Sequence, residues 1–268
     1  MKKTAIILIL SVAFIFTTQY SYGQTPEEHI ANVSAVFTPI KESTWKYIRV
    51  VSQGKEVQKN EKIRQGLLSQ YTIKKQNVLK LKQTTLRAAA TLYLEKSMNV
   101  LKEDFDKILA LEATSDQSYD LMEAYLLTKE RAGDKLDEVW EEYRVAKKAY
   151  AASNNIELID DKDKRAKKVE KASEALIYYN KVFLIYFKSY KAETSTLGAS
   201  NAADVSGIEQ NMQTLKISAD EGLVKLKAMG SFKNYADLKT IAYKLMLFYK
   251  SEAEHDFPAF ADFYLKKQ

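Results

Sequence analysis

Proline and glycine are scarce in this chain, and their scarcity constrains the fold more than any other feature. Three prolines and eight glycines occur among 268 residues. A β-sheet needs frequent tight turns, and those turns use glycine and proline. Long windows instead repeat apolar residues at the three- and four-residue spacing of one helix face, for example from Val33 to Val51 and from Leu92 to Leu109. The sequence therefore predicts an all-α fold, an antiparallel up-and-down bundle of about seven long helices.

The N-terminus has the three regions of a secretory signal peptide. Lys2 and Lys3 precede an apolar run from Ala5 to Phe16, and Ser21-Tyr22-Gly23 places small residues at the −3 and −1 positions of a cleavage site. The alternative is a membrane anchor, but the apolar run is short for a hydrocarbon core about 30 Å thick. We therefore expect residues 1–23 to be removed, which predicts a secreted, periplasmic or outer-surface protein without a membrane span.

The composition limits the chemistry of the exported chain. It contains no cysteine, which excludes lipid attachment at the cleavage site, thiol catalysis and disulfides. A mature chain of about 245 residues is long enough to bury a core without such cross-links. After signal removal 39 basic residues stand against 35 acidic ones, a net charge of +4. This mild excess does not predict nucleic-acid binding, although it permits contact with an anionic envelope surface.

The order of the helical segments predicts two similar halves around one long helix. Residues 63–82 and 208–227 match without a gap at an offset of 145. The alternative is that two amphipathic helices rich in Leu and Lys match by composition alone. The longest helix is predicted from Asp116 to Ala152, between the two matching segments. The predicted organisation is a first helical unit (24–112), a connecting helix (113–155) and a second helical unit (156–268), with 24–268 forming one continuous bundle.

Two local signals predict helix ends. Thr84-Thr85 provides side-chain oxygens that can cap the third helix by accepting hydrogen bonds from its free amides. Pro258 lacks an amide hydrogen and collides with the preceding turn, so it is expected to break the helix that begins near Asn234. The second of these signals sets the expected end of the helix that carries Glu252 and His255.

The densest aromatic stripe of the chain lies in the second half. Bulky rings at this spacing can line a cleft for a small apolar or sugar ligand. The alternative is core packing, because a buried helix face has the same spacing. Two of the residues are adjacent and cannot both face one core. The candidate ligand-binding residues are Tyr178, Tyr179, Phe183, Tyr186, Phe187 and Tyr190.

Glu252 and His255 are the candidate metal ligands. On an α-helix they would project to the same side, as in the Glu-x-x-His motif of di-iron helical bundles. Such a site needs a second pair and two further carboxylates, but His29 is the one other histidine. The incomplete ligand set favours the alternative of a solvated helix end before Pro258. No cofactor is therefore predicted.

No catalytic motif accompanies these residues in the sequence. A Gly-rich phosphate loop is absent, and neither histidine lies near a serine in a nucleophile elbow. The sequence therefore predicts a protein that is not an enzyme.

The signal peptide ending before Gln24, the cysteine-free chain rich in Lys and Tyr, and the repeated helical units together resemble uncharacterised secreted or surface helical-bundle proteins of Bacteroidota-type Gram-negative bacteria. The resemblance covers the whole chain and implies an envelope location, but carries over no catalytic residue. The leading hypothesis is an exported non-enzymatic protein that acts in binding or scaffolding, its partner being an unknown protein or envelope component. The alternatives are a helical receptor using the stripe from Tyr178 to Tyr190 and a metal-dependent enzyme centred on Glu252 and His255.

Overall fold

The structure is a computed structural model that describes residues 24–52, 57–158 and 164–266. Within these ranges the regular elements are helices, apart from one isolated bridge, so the predicted all-α fold is confirmed. None of these helices is long and apolar enough to cross a bilayer. The predicted signal peptide, residues 1–23, lies outside the described residues. The α-helices are α1 (Pro26–Ser52), α2 (Val57–Leu79), α3 (Thr85–Asn99), α4 (Phe105–Glu112), α5 (Tyr119–Ser153), α6 (Lys164–Asn201), α7 (Val205–Ala228), α8 (Asp237–Ser251) and α9 (Phe257–Leu265).

Two π-helical turns join α-helices into longer rods. Val100–Asp104 joins α3 to α4, and Glu252–Asp256 joins α8 to α9. Counted as continuous rods, the described helices number seven, as predicted. The expected break at Pro258 is wrong, because this proline is the second residue of α9. A π turn carries one additional residue, which displaces the backbone that the proline ring would otherwise strike.

Side-chain caps fix the starts of three helices. Thr84 Oγ1 accepts a hydrogen bond of 3.1 Å from the amide of Arg87, which confirms the predicted cap of α3. Ser118 Oγ accepts one of 3.2 Å from Leu121 at the start of α5. Asp204 caps α7 in the same way. Each cap satisfies an amide that has no partner within its helix.

Two hydrophobic cores lie on either side of a smaller contact between α5 and α6. The first core is built by α1, α2, α3 and the second half of α5, and it is rich in aromatic rings that meet edge-on or tilted around Phe37. The second core is built by α6, α7, α8 and α9. Between them, Met122 and Leu126 of α5 pack against Phe187 of α6. The predicted long helix is therefore α5, and it contacts helices from both halves of the chain.

The two halves share features at fixed offsets. α3 and α8 each contain 15 residues and each is followed by a π turn of 5 residues. Buried positions coincide at an offset of 148 between α2 and α7 and of 152 between α3 and α8. At the predicted offset of 145, buried Leu68 would fall on exposed Gln213. The duplication itself stays a prediction, and for α2 and α7 the buried positions favour an offset of 148 over the predicted 145. The coinciding buried pairs are Leu67 with Leu215, Tyr71 with Ala219, Val78 with Leu226, Ala90 with Ala242 and Leu94 with Met246.

Candidate functional site

The aromatic stripe of α6 divides between two sides of the helix. Phe187 is buried against α5, and Phe183 is partly buried in the same cluster. Tyr178 and Tyr186 instead pack against the second core. The stripe therefore does not present one continuous face to one cleft, because its buried members contact different neighbouring helices.

The rings of this stripe form stacked contacts along the helix. Their centroids are separated by 5.8 Å between Tyr179 and Phe183, 5.5 Å between Phe183 and Phe187, and 5.6 Å between Tyr186 and Tyr190. Each such pair contributes about 0.5–1.5 kcal/mol beyond the area that it buries. Two members stay in contact with solvent, Tyr179 at 47% exposure and Tyr190 at 37%. Packing accounts for most of the stripe, and none of its six rings lines the cleft between α5, α6 and α7.

Glu252 and His255 do not form the pair expected from α-helical spacing. His255 is exposed, and its Nδ1 lies 3.0 Å from the carbonyl oxygen of Ser251. Glu252 is partly buried and faces Glu193 of α6. The reason is the π turn, since it holds more residues per turn than an α-helix and removes the shared face of positions three apart. Across residues 24–52, 57–158 and 164–266, no group of three His, Asp or Glu side chains is arranged to hold a metal ion.

Glu252 belongs instead to a polar cluster between α6 and α8. Its carboxyl group is hydrogen-bonded to Glu193, and the hydroxyl of Tyr249 is bonded to Glu193 and Tyr186. Burial, followed by the charges of Glu193 and Asp256, raises the pKa of Glu252 to about 7. Burial also raises the pKa of Tyr249, so that its hydroxyl stays protonated.

The chemical consequence is that Glu252 keeps its proton up to near-neutral pH and can donate it in the hydrogen bond to Glu193. Glu252 Oε2 is shielded from solvent and has no hydrogen-bond partner. An unpaired buried oxygen disfavours the charged form, which agrees with the direction of the pKa shift. Glu193 was not predicted from the sequence, since a single glutamate on a long helix has no distinguishing pattern.

A second polar group is buried in the first half. His29 is only 1% exposed, and its Nε2 lies 2.7 Å from Thr84 Oγ1, while its Nδ1 has no partner. Burial, followed by the positive charge of Lys82, lowers the pKa of His29. The imidazole is therefore neutral at physiological pH, and it joins the start of α1 to the cap of α3.

Arg64 binds the first π turn. Its Nη1 donates a hydrogen bond of 2.7 Å to the carbonyl oxygen of Leu101, while Nε and Nη2 form ion pairs with Glu61 at 2.6 Å and Asp106 at 2.7 Å. The guanidinium side chain is almost fully buried. Because three acceptors use its planar donor set, the charge is compensated where it lies. This arrangement is structural, and it holds the π turn against α2.

Exposed large apolar side chains are concentrated on and just before the last two helices. Eighteen large apolar side chains are exposed in the described part of the chain, and eight of them fall between Tyr235 and Leu265. Ile241 is 64% exposed and Phe248 52%. A concentration of exposed large apolar side chains on one segment is typical of interaction sites. We define the C-terminal apolar face as Leu238, Ile241, Phe248 and Phe260.

This face could have been found in the sequence. α8 carries apolar residues on both sides, with buried Ala242 and Met246 on one side and exposed Ile241 and Phe248 on the other. A helix that is apolar around most of its circumference must be covered on all of those sides, or must leave one of them to bind something.

The geometry thus defines an all-α helical-bundle protein with an exposed apolar face and a partly buried carboxyl pair. Comparison of the chain with protein-family models, with curated proteins and with solved structures finds no match. We therefore infer the function from the surfaces described above.

Proposed function

We propose that the protein is a non-enzymatic binding or scaffolding protein of the periplasm or cell surface, which holds a partner protein through its C-terminal apolar face. The observation that supports this function is the concentration of exposed large apolar side chains on α8 and α9. Export would follow from the signal peptide predicted at residues 1–23.

Two ion pairs on α8 and in the second π turn favour an apolar contact over an electrostatic one. Lys250 forms an ion pair with Asp220 at 2.7 Å, and Lys216 forms one with Glu254 at 3.1 Å. These charges are largely neutralised within the protein, so they attract nucleic acid or an anionic lipid surface only weakly. The partner best suited to such a surface is an amphipathic helix, whose apolar residues recur at the same spacing.

The size of the face predicts moderate affinity. Complete burial of one large apolar side chain contributes about 1.5–3 kcal/mol, and these side chains are already about half buried. The four together therefore contribute about 4 kcal/mol. Contacts at the rim of the face must contribute about as much again for a micromolar complex, which requires about 8 kcal/mol.

Site-specific photo-crosslinking in the producing cells tests this function. A benzophenone amino acid replaces Phe248 in one variant and Phe260 in another, while the control variant carries it at exposed Glu138 on α5. We expect the same crosslinked partner from both positions on the face and none from the control, and Ile241→Asp should abolish the product. The proposal is contradicted if the face gives no product or if Glu138 gives the same one. Turnover by the purified protein in a broad hydrolase and oxidase screen would contradict the non-enzymatic assignment.

A further inference from the structure

A cleft of about 280 Å³ lies between the start of α5 and the facing sides of α6 and α7. Its apolar lining includes Leu184 and Ile185 of α6 and Met229 after the end of α7. The volume is close to the lower limit of ligand pockets, about 300 Å³. The cleft is therefore smaller than a pocket for a drug-sized ligand, and it suits a slender ligand with a narrow apolar body.

The floor of this cleft is held in place by close packing of α6 against α7. Ser189 and Ser218 are both buried, and their hydroxyl oxygens lie 3.0 Å apart. Gly222 has no room for a side chain, since a Cβ atom there would lie 2.7 Å from Met246 Sδ and 3.1 Å from Ile185 Cγ2. Small residues at this crossing allow the helices to approach closely, so the cleft is formed before any ligand arrives.

The rim of the cleft is positively charged. Lys181, Lys188 and Lys225 line it together with a single acidic residue, Glu221. Lys188 Nζ lies 2.7 Å from Glu221 Oε2, and this contact, followed by the charge of Lys225, lowers the pKa of Glu221. Lys181 and Lys225 form no ion pair with other side chains of the described ranges. The rim therefore has two lysines available for an anion.

We propose that this cleft binds an amphiphilic anion with a single short alkyl chain, such as a medium-chain carboxylate. The alkyl chain lies on the apolar lining, and the carboxylate pairs with Lys181 and Lys225. A simple inorganic anion would leave the apolar lining exposed to water, whereas an amphiphilic cation would meet the net positive charge of the rim. Charge and apolar surface together select this one class of ligand.

Isothermal titration with sodium decanoate below its micelle concentration tests the proposal. We expect saturable one-to-one binding that weakens with salt, and binding of decyltrimethylammonium that is weaker by about tenfold or more. Inorganic phosphate should show no saturable binding. Equal affinity for the two decyl compounds would show nonspecific adsorption and would overturn the proposal.

Matched variants locate the site. Lys181→Gln combined with Lys225→Gln should weaken decanoate binding by about tenfold, because both exposed charges near the carboxylate are lost. The control combines Lys227→Gln with Lys244→Gln, two exposed lysines outside the cleft, and it should stay within about twofold of the wild type. Loss of affinity in the control as large as in the first variant would overturn the proposal.

Methyl NMR provides a readout that is independent of the lysines. Decanoate should shift the methyl signals of Ile185 and Met229, and it should leave the signal of Ile241 on the C-terminal apolar face unchanged. Shifts confined to Ile241 would contradict ligand binding in the cleft, but they would leave the proposed partner binding untested. The two proposals can therefore fail separately.

Discussion

Replacement of Glu252 by glutamine should stabilise the protein at alkaline pH. The variant keeps the size of the side chain and its capacity to hydrogen-bond Glu193, but it removes the charge. In the folded protein the pKa of Glu252 is raised from 4.5 to about 7. Between those values the folded state holds a proton that the unfolded state has released, so the contribution of this proton to stability is present below pH 4.5 and is lost as the pH rises towards 7.

The magnitude follows from the pKa and from solvent access. Each pKa unit corresponds to about 1.4 kcal/mol, so the rise from 4.5 to about 7 sets an upper limit of about 3.5 kcal/mol on the loss. Glu252 is only partly buried, and screening by water reduces the expected value to about 1–2 kcal/mol. Glutamine cannot ionise. We therefore expect Glu252→Gln to be more stable than the wild type by about 1–2 kcal/mol at pH 8 and nearly equal to it at pH 4.5.

Urea denaturation followed by circular dichroism measures this difference across that pH range. Glu254→Gln is the matched control, because Glu254 lies in the same π turn but is exposed and paired with Lys216. Its effect should stay within about 0.5 kcal/mol and should not be a gain that grows with pH. The reasoning is refuted if Glu252→Gln shows no greater advantage at pH 8 than at pH 4.5, or if the control shows the same advantage.

Three further stability measurements test the packing. Gly66→Ala should stabilise the protein by about 0.5–1 kcal/mol, since nothing lies within 4 Å of the added Cβ atom in the middle of α2. Gly222→Ala should destabilise the protein by about 1–2 kcal/mol, because its Cβ atom would collide with Met246 of the second core. A stabilising Gly222→Ala would contradict the packing. Arg64→Leu should cost about 3 kcal/mol and the exposed control Arg144→Leu less than about 0.5 kcal/mol by urea denaturation. Burial of neutral His29 should contribute a loss of stability as the pH falls below 6.5, so the stability of the wild type relative to His29→Gln should decrease over that range. Parallel pH curves for the two proteins would contradict this.

Local signals in the sequence predicted most of the fold. Val33, Phe37 and Ile40 recur at helical spacing, and all three are buried. Thr84 caps α3 because its side chain acts on an amide three residues away. Such features depend on interactions within one or two turns of helix, so the amino-acid order alone contains them.

The register of the proposed repeat could not be predicted as reliably. An offset of 145 aligns the Leu and Lys residues of α2 and α7, yet the buried positions coincide at 148. Three residues are almost one helical turn, and sliding a Leu- and Lys-rich helix by one turn preserves its general character. Burial distinguishes the two registers because it depends on the neighbouring helices, which the local match does not include.

The neighbours of the polar side chains could not be predicted from the sequence, for a related reason. Glu252 was expected to share a helix face with His255 because α-helical spacing was assumed through residues that form a π turn, and no local residue pattern marks such a turn. Its actual neighbour, Glu193, lies 59 positions earlier on another helix. Contacts of this range are set by how whole helices pack, so sequence spacing alone does not determine them.

The two π turns occupy corresponding places but are stabilised differently, and this contrast connects the polar sites to function. In the first half Arg64 satisfies a carbonyl oxygen of the turn. At the offset of 148 its position is taken by Met212, so the second turn lacks a guanidinium group. That turn instead carries Glu252, with an unpaired oxygen and a pKa near neutrality. π turns recur at functional sites, and this one separates Phe248 from Phe260 within the C-terminal apolar face. Ionisation of Glu252 places a charge between α6 and α8, four residues after Phe248 of the face proposed to bind a partner. We therefore expect the crosslinking yield from position 248 to fall as the pH rises above 7.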